Sequence, residues 1–306
     1  MKEREDDNQT HITGFQLLGF GNPPELQILL SLMFLVIYII TIVWNILIVA
    51  LHLHTPMYYF LGNLSCLETC YASTIMPRML AGFLTGDKTI SVNSCITQFY
   101  FFAVFVATEC YLLSMMSYDR YLAICKPLHY TALMNGRICL QLTAVSWISG
   151  FLVTTIVTYL LSQLHFCGPN EIDHFLCDFT PMVKLSCSDT SLITLVTFVL
   201  SSIDTVPTFL LTLTSYICII STILKIPSSS GRKKAFSTCS SHLIVVTVFY
   251  GTLIIVYVLP DTDKLRDLNK MFSLFYTVLT PMINPLIYSL RNKEVKGALI
   301  KLCLKC

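Results

Sequence analysis

Ile28 to Leu51 reads ILLSLMFLVIYIITIVWNILIVAL, a run of 24 residues without a charge. At 1.5 Å rise per residue it exceeds the roughly 20 residues that cross the hydrocarbon core of a bilayer. Working outward, six more stretches obey the same rule. Ile138 to Leu164 and Met271 to Leu290 are uncharged throughout. Met57 to Ile75 and Ile96 to Tyr118 hold one acid each, Glu68 and Glu109. Leu192 to Leu224 holds Asp204 and is long enough to project beyond the bilayer, and Ala235 to Leu259 holds His242. The expected fold is an all-α membrane protein, a seven-transmembrane helix bundle.

The composition agrees. Of 306 residues 54% are hydrophobic and 12% charged, about half the usual charged share and too few to cover a soluble surface. A formal net charge of +2 gives no reason to expect a nucleic-acid partner. Where the charges sit says more. With the N-terminus outside, the inner segments hold twelve basic residues, from Arg120 and Lys126 to Lys301 and Lys305, against two acids, Asp119 and Glu294. The outer segments hold eight basic and thirteen acidic residues. Basic residues gather on the cytoplasmic side, so the opposite orientation is rejected. The chain divides into an extracellular tail (1–25), a seven-span domain (26–290) and a cytoplasmic tail (291–306).

The first tail is polar and has no apolar stretch before the first span, so no cleavable signal peptide is expected and the first helix serves as its own insertion signal. Asn8-Gln9-Thr10 is a glycosylation sequon on that outer side. In the last tail Val295, Ala298, Leu299 and Leu302 recur at helical spacing among Lys293, Lys296 and Lys301. That reads as a short amphipathic helix lying against membrane lipid, with a disordered basic tail as the alternative. Cys303 and Cys306 are placed for palmitoylation. Of the thirteen cysteines, only Cys95, Cys167, Cys177 and Cys187 fall in outer segments. Four thiols on the oxidising side suggest two disulfides, with three pairings open. A bond from Cys95 into the loop between spans four and five would pin that loop over the bundle.

Two motifs carry a mechanism. Asp119-Arg120-Tyr121 ends the third span, where an arginine at the membrane edge needs a partner and the adjacent aspartate supplies one, a pair able to act as a latch. In Pro281-Met282-Ile283-Asn284-Pro285-Leu286-Ile287-Tyr288, Pro285 removes a backbone hydrogen bond and kinks the seventh span, while Asn284 can satisfy a freed group. Within the spans, Glu68 and Glu109 are costly to bury as unpaired charges. Two close carboxylates either share a proton or clamp a cation, and with Asn284 they make a candidate ion or proton site. Asp204 pairs either with a polar ligand, if it faces Val106 and Ala107, or with Ser201 or Thr205.

The two motifs resemble those of rhodopsin-like G-protein-coupled receptors. Leu53-His54-Thr55-Pro56-Met57-Tyr58-Tyr59-Phe60-Leu61, Ser215-Tyr216 and Lys234-Ala235-Phe236-Ser237-Thr238-Cys239-Ser240-Ser241-His242-Leu243 resemble the odorant receptors, of the tetrapod-type class II. The resemblance covers essentially the whole chain after the N-terminal tail. It implies a plasma-membrane receptor, not an enzyme, that binds small volatile odorants, couples to a stimulatory olfactory G protein and raises cyclic AMP. It implies disulfides Cys95–Cys177 and Cys167–Cys187, and no cofactor beyond a sodium ion or shared proton at Glu68, Glu109 and Asn284. The activation switch would comprise Asp119, Arg120, Tyr121, Tyr216, His242, Asn284, Pro285 and Tyr288. By the same analogy the ligand wall would include Phe102, Ala103, Val106, Ala107, Leu200, Ile203, Asp204, Tyr250, Ile254, Tyr257 and Thr277. Phe249-Tyr250-Gly251 stands where the wider superfamily has a Trp and a kinking Pro, and Trp44-Asn45 replaces Gly-Asn. Phe102 in place of an aspartate argues against an amine ligand, and the seventh span has no lysine for retinal. A transporter is the rival reading of the buried acids, but repeated halves and discontinuous helix pairs are missing from the sequence.

Overall fold

A computed structural model describes residues 12–19, 24–50, 55–167, 169–257, 263–291 and 297. Asn8, residues 293–296 and 298–306 of the last tail, and the side chains of Tyr257 and Thr238 lie outside the described residues. In hydrocarbon every backbone N–H and C=O must be bonded within the segment, so the uncharged runs become helices. They are Pro24–Ala50, Pro56–Thr85, Val92–Cys125, Gly136–Ser162, Ser191–Leu224 and Ser229–Tyr257, followed by a seventh span in three pieces. That span comprises Asp263–Leu274, a π-turn Phe275–Leu279 and Thr280–Arg291. Six of the seven are long and apolar enough by themselves to cross a membrane; the second, carrying Glu68 and Arg78, completes the bundle. The first, fourth and fifth spans turn large apolar side chains outward, among them Leu29, Ile148 and Phe198.

Several boundaries differ from the sequence reading for physical reasons. The second helix does not stop at Ile75 but runs through Pro77 to Thr85. It begins at Pro56, where a missing N–H costs nothing, and ends at Gly86, whose φ of +71° turns its N–H back to Gly82 O. The third span is capped by Ser91, which accepts from the Ser94 N–H, and the fourth by Asn135, which accepts from the Ile138 N–H. The third helix is the hub, packed against the second, fourth and fifth. Gly150 lets the fourth span close on it: a Cβ there would sit 2.4 Å from Thr108 Oγ1.

One end of the bundle is roofed. Residues 14–17, expected within a simple tail, form a strand instead. Strand β1 (Gly14–Leu17) runs antiparallel to β2 (Thr89–Ser91) and parallel to β3 (Glu171–Ile172), with Phe15 opposite Ile90. Phe15 is fully buried, its ring 5.2 Å from Phe166 and nearly perpendicular to it. Cys95 is bonded to Cys177 and Cys167 to Cys187, with Cα separations of 5.5 and 5.9 Å. An ion pair between Lys270 and Asp173 ties the same loop to the seventh span. We call this the capped end and its opposite, where Arg120 and Lys225 lie, the basic end.

Candidate functional site

Three groups of polar side chains within the spans bear on function. The first joins spans two and seven: Asn284 Nδ2 donates to Glu68 Oε1, with Glu109 of span three close enough to act on Glu68 electrostatically. Glu68 Oε2 and Glu109 Oε1 are buried without a partner among the described residues. Nearby, Asn45 Nδ2 donates to Pro281 O at 3.0 Å. Pro285 has no N–H to offer that carbonyl four residues back, so Asn45 of the first span supplies the bond. Sequence reading noted Asn45 only as part of a deviation; the i−4 carbonyl of a helical proline was the available signal.

The second group surrounds the expected ligand wall. Phe102 is buried, with its ring 5.6 Å from Tyr71 and 6.2 Å from Tyr276. Tyr250 is buried against Phe209 at 5.3 Å, and its hydroxyl donates to Cys110 O at 3.4 Å. Thr277 is fully buried inside the π-turn and donates to Ser273 O at 2.6 Å. Such single-turn π segments recur at functional sites. Val106 packs against the main core, and Ala103 and Leu200 against the capped-end cluster; Ala107 is half-buried. Two expected wall residues are corrected. Ile203 is 63% exposed and Ile254 44% exposed. Ile203 lies one position, about 100° of helix rotation, from the inward stripe of Asp204, Thr208 and Thr212. Asp204 is buried, and its partner is neither Ser201 nor Thr205: it accepts from the Tyr111 hydroxyl of span three. Tyr111 carried no local signal in the sequence, because the contact depends on how two helices are rotated. A cleft lies elsewhere, at the capped end beside Arg78 and Lys88.

The third group lies at the basic end. Asp119 is fully buried and accepts from Arg120, with Nε at 3.0 Å, and from Tyr130 Oη at 2.8 Å. Tyr130 begins the short helix Tyr130–Leu133, outside the spans, and burial followed by the Asp119 carboxylate holds its phenol well above the usual range. Tyr121 stacks on Tyr118 at 6.1 Å, with Lys126 Nζ 5.9 Å from its ring centre. Tyr216 Oη lies 2.7 Å from His242 Nδ1, joining spans five and six. His242 also bonds the Leu113 backbone of span three, while the Tyr288 hydroxyl is buried without a partner among the described residues. Arg120 is thus clamped on its own helix, within electrostatic reach of a span-seven phenol that has no partner among the described residues.

Comparison with known proteins decides what such a bundle belongs to. The model of the family described as "Olfactory receptor" matches residues 30–306. The chain belongs to the olfactory receptor family. It is 48% identical to olfactory receptor 5AP2 of Mus musculus over 97% of this chain and 96% of that protein. It is 50% identical to olfactory receptor 11A1 of Homo sapiens over 97% and 96%, and 49% identical to the human olfactory receptor 11L1 over 97% and 94%. As a member of this family it is an odorant receptor, a multi-pass plasma-membrane protein that couples to a G protein rather than an enzyme.

Proposed function

We propose that this receptor binds small, mostly apolar odorants in the capped half of the bundle, between spans three, five, six and seven. The wall consists of Phe102, Ala103, Val106, Ala107, Leu200, Tyr250 and Thr277, with Asp204 as its one acid. Binding activates a stimulatory olfactory G protein at the basic end and raises cyclic AMP, with the N-terminus outside and the C-terminus in the cytoplasm. The supporting observation is Arg120 held on Asp119, which also accepts from Tyr130, with the Tyr288 hydroxyl within electrostatic reach and without a partner among the described residues. It is the arrangement expected of an inactive latch with a second partner waiting.

Glu68, Glu109 and Asn284 form the site of a sodium ion or a shared proton. Two buried carboxylate oxygens without partners among the described residues favour it, because an unpaired buried anion is costly. Replacing choline by sodium should raise the melting temperature of the wild type and not of Glu68→Gln; no sodium effect would leave the proton. For the receptor reading, cyclic AMP is measured in cells expressing the chain with an olfactory G protein against a broad odorant panel, with Arg120→Ala alongside. A response lost in Arg120→Ala at equal surface expression is expected. A response that survives it would sink the latch.

A further inference from the structure

The cleft at the capped end encloses about 50 Å³ and opens outward at its mouth. Its floor is apolar: Leu17, Met79 and Phe175 are buried, and Phe83 stacks on Phe34 of the first span at 5.8 Å. Its rim is cationic. Arg78 gives one N–H to Thr89 O, and Lys88 Nζ donates to Leu18 O at 3.2 Å, so each keeps further donors. Among the described residues neither is in a salt bridge. The carboxylate beside them, Asp87, is within electrostatic reach of Arg78 but is committed to Thr89, accepting from its N–H at 2.8 Å and its Oγ1 at 2.7 Å.

Gly82 holds the cleft open without being needed for packing. A Cβ there would meet only Asp87 O, at 3.5 Å, which is ordinary contact. In sequence the lining is flanked by the exposed apolar residues Leu26, Ile28 and Leu84, the last 71% exposed, at the edge of the lipid-facing surface. Two cations over an apolar floor at the border of hydrocarbon suit an amphiphile with an anionic head. A guanidinium in particular matches the two oxygens of a carboxylate.

We propose that this cleft binds the head of a long-chain alkyl carboxylate on Arg78 and Lys88, with its first carbons against Met79, Phe83 and Phe175 and the rest of its chain outside the cleft. The site is separate from the odorant wall and does not depend on it. The test is direct binding of dodecanoate to the purified receptor in discs of neutral lipid, read by native mass spectrometry, with dodecan-1-ol as the uncharged counterpart. Dodecanoate should bind at least about tenfold more tightly than the alcohol. It should lose at least about tenfold in Arg78→Gln/Lys88→Gln, and also in Gly82→Leu, which fills the cleft and leaves both charges. Equal affinity for the alcohol, no binding by the wild type, or unchanged binding in Gly82→Leu would overturn the site. A double variant that only melts lower, with Gly82→Leu still binding, would show that the two cations serve only to staple the loops. Binding of phosphatidylglycerol without any binding of dodecanoate would overturn the carboxylate assignment.

Discussion

At the capped end, two disulfides, a three-stranded sheet and the Lys270–Asp173 ion pair join segments far apart in sequence. At the basic end, span three is held by Asp119 with Arg120 and Tyr130, and spans five and six by Tyr216 on His242. Losing a native disulfide typically costs about 2–5 kcal/mol, whereas one hydrogen bond contributes about 1 kcal/mol. The first kind of tie fixes a frame. The second exchanges partners at an energy a bound ligand supplies, and the Tyr288 hydroxyl, without a partner among the described residues, is there to receive one. A molecule that takes its signal at one end and delivers it at the other needs this asymmetry.

The largest expected effect comes from breaking the frame. Cys95→Ser should remove about 2–5 kcal/mol and most surface expression, measured by surface labelling and melting of whatever folds. Normal melting and expression would put the frame elsewhere. Next comes acid. Burial, helped by nearby Lys270, pushes the His174 imidazole down to about 4. The unfolded chain protonates near the ordinary value of about 6.5, so stability present above that pH is lost as pH falls from about 6.5 towards 4. At pH 5 the loss is about 2 kcal/mol, and the melting temperature of His174→Gln should fall less between pH 7 and 5 than that of the wild type. Equal falls would clear His174 of any part in it. The smallest effect belongs to the latch. Tyr130→Phe removes one hydrogen bond from Asp119, about 1 kcal/mol, and should raise ligand-independent cyclic AMP roughly fivefold while lowering the melting temperature by no more than about 4 °C. A larger fall with unchanged signalling would make Tyr130 a frame residue.

The same asymmetry governs what could be read from the sequence. The spans were legible because an uncharged run such as Ile28 to Leu51 has few other ways to exist. Asp119, Arg120 and Asn284 stood out because polar groups inside spans demand partners. Strand β1 was not legible: its four residues pair with segments more than seventy residues away and take their order from them. The run Met57 to Ile75 fell short of the end of the second helix at Thr85, because a packed span tolerates Pro77 in its interior. Tyr111 and the outward turn of Ile203 and Ile254 depend on helix rotation, which apolar residues on every side of a span leave unspecified. The π-turn at Phe275–Leu279, which adds a residue to one turn, has no composition of its own.

Hydrogen exchange on the purified, ligand-free receptor tests the contrast most directly. The amides of Gln16, Leu17 and Leu18 donate to Asn170, Lys88 and Ile172 carbonyls at 2.7, 2.9 and 2.9 Å across the roof. They should exchange about as slowly as those in the middle of span three, while the amides of Tyr130–Leu133 exchange at least about tenfold faster. Rapid exchange at residues 16–18 with protection at residues 130–133 would contradict the account, placing the fixed frame at the basic end.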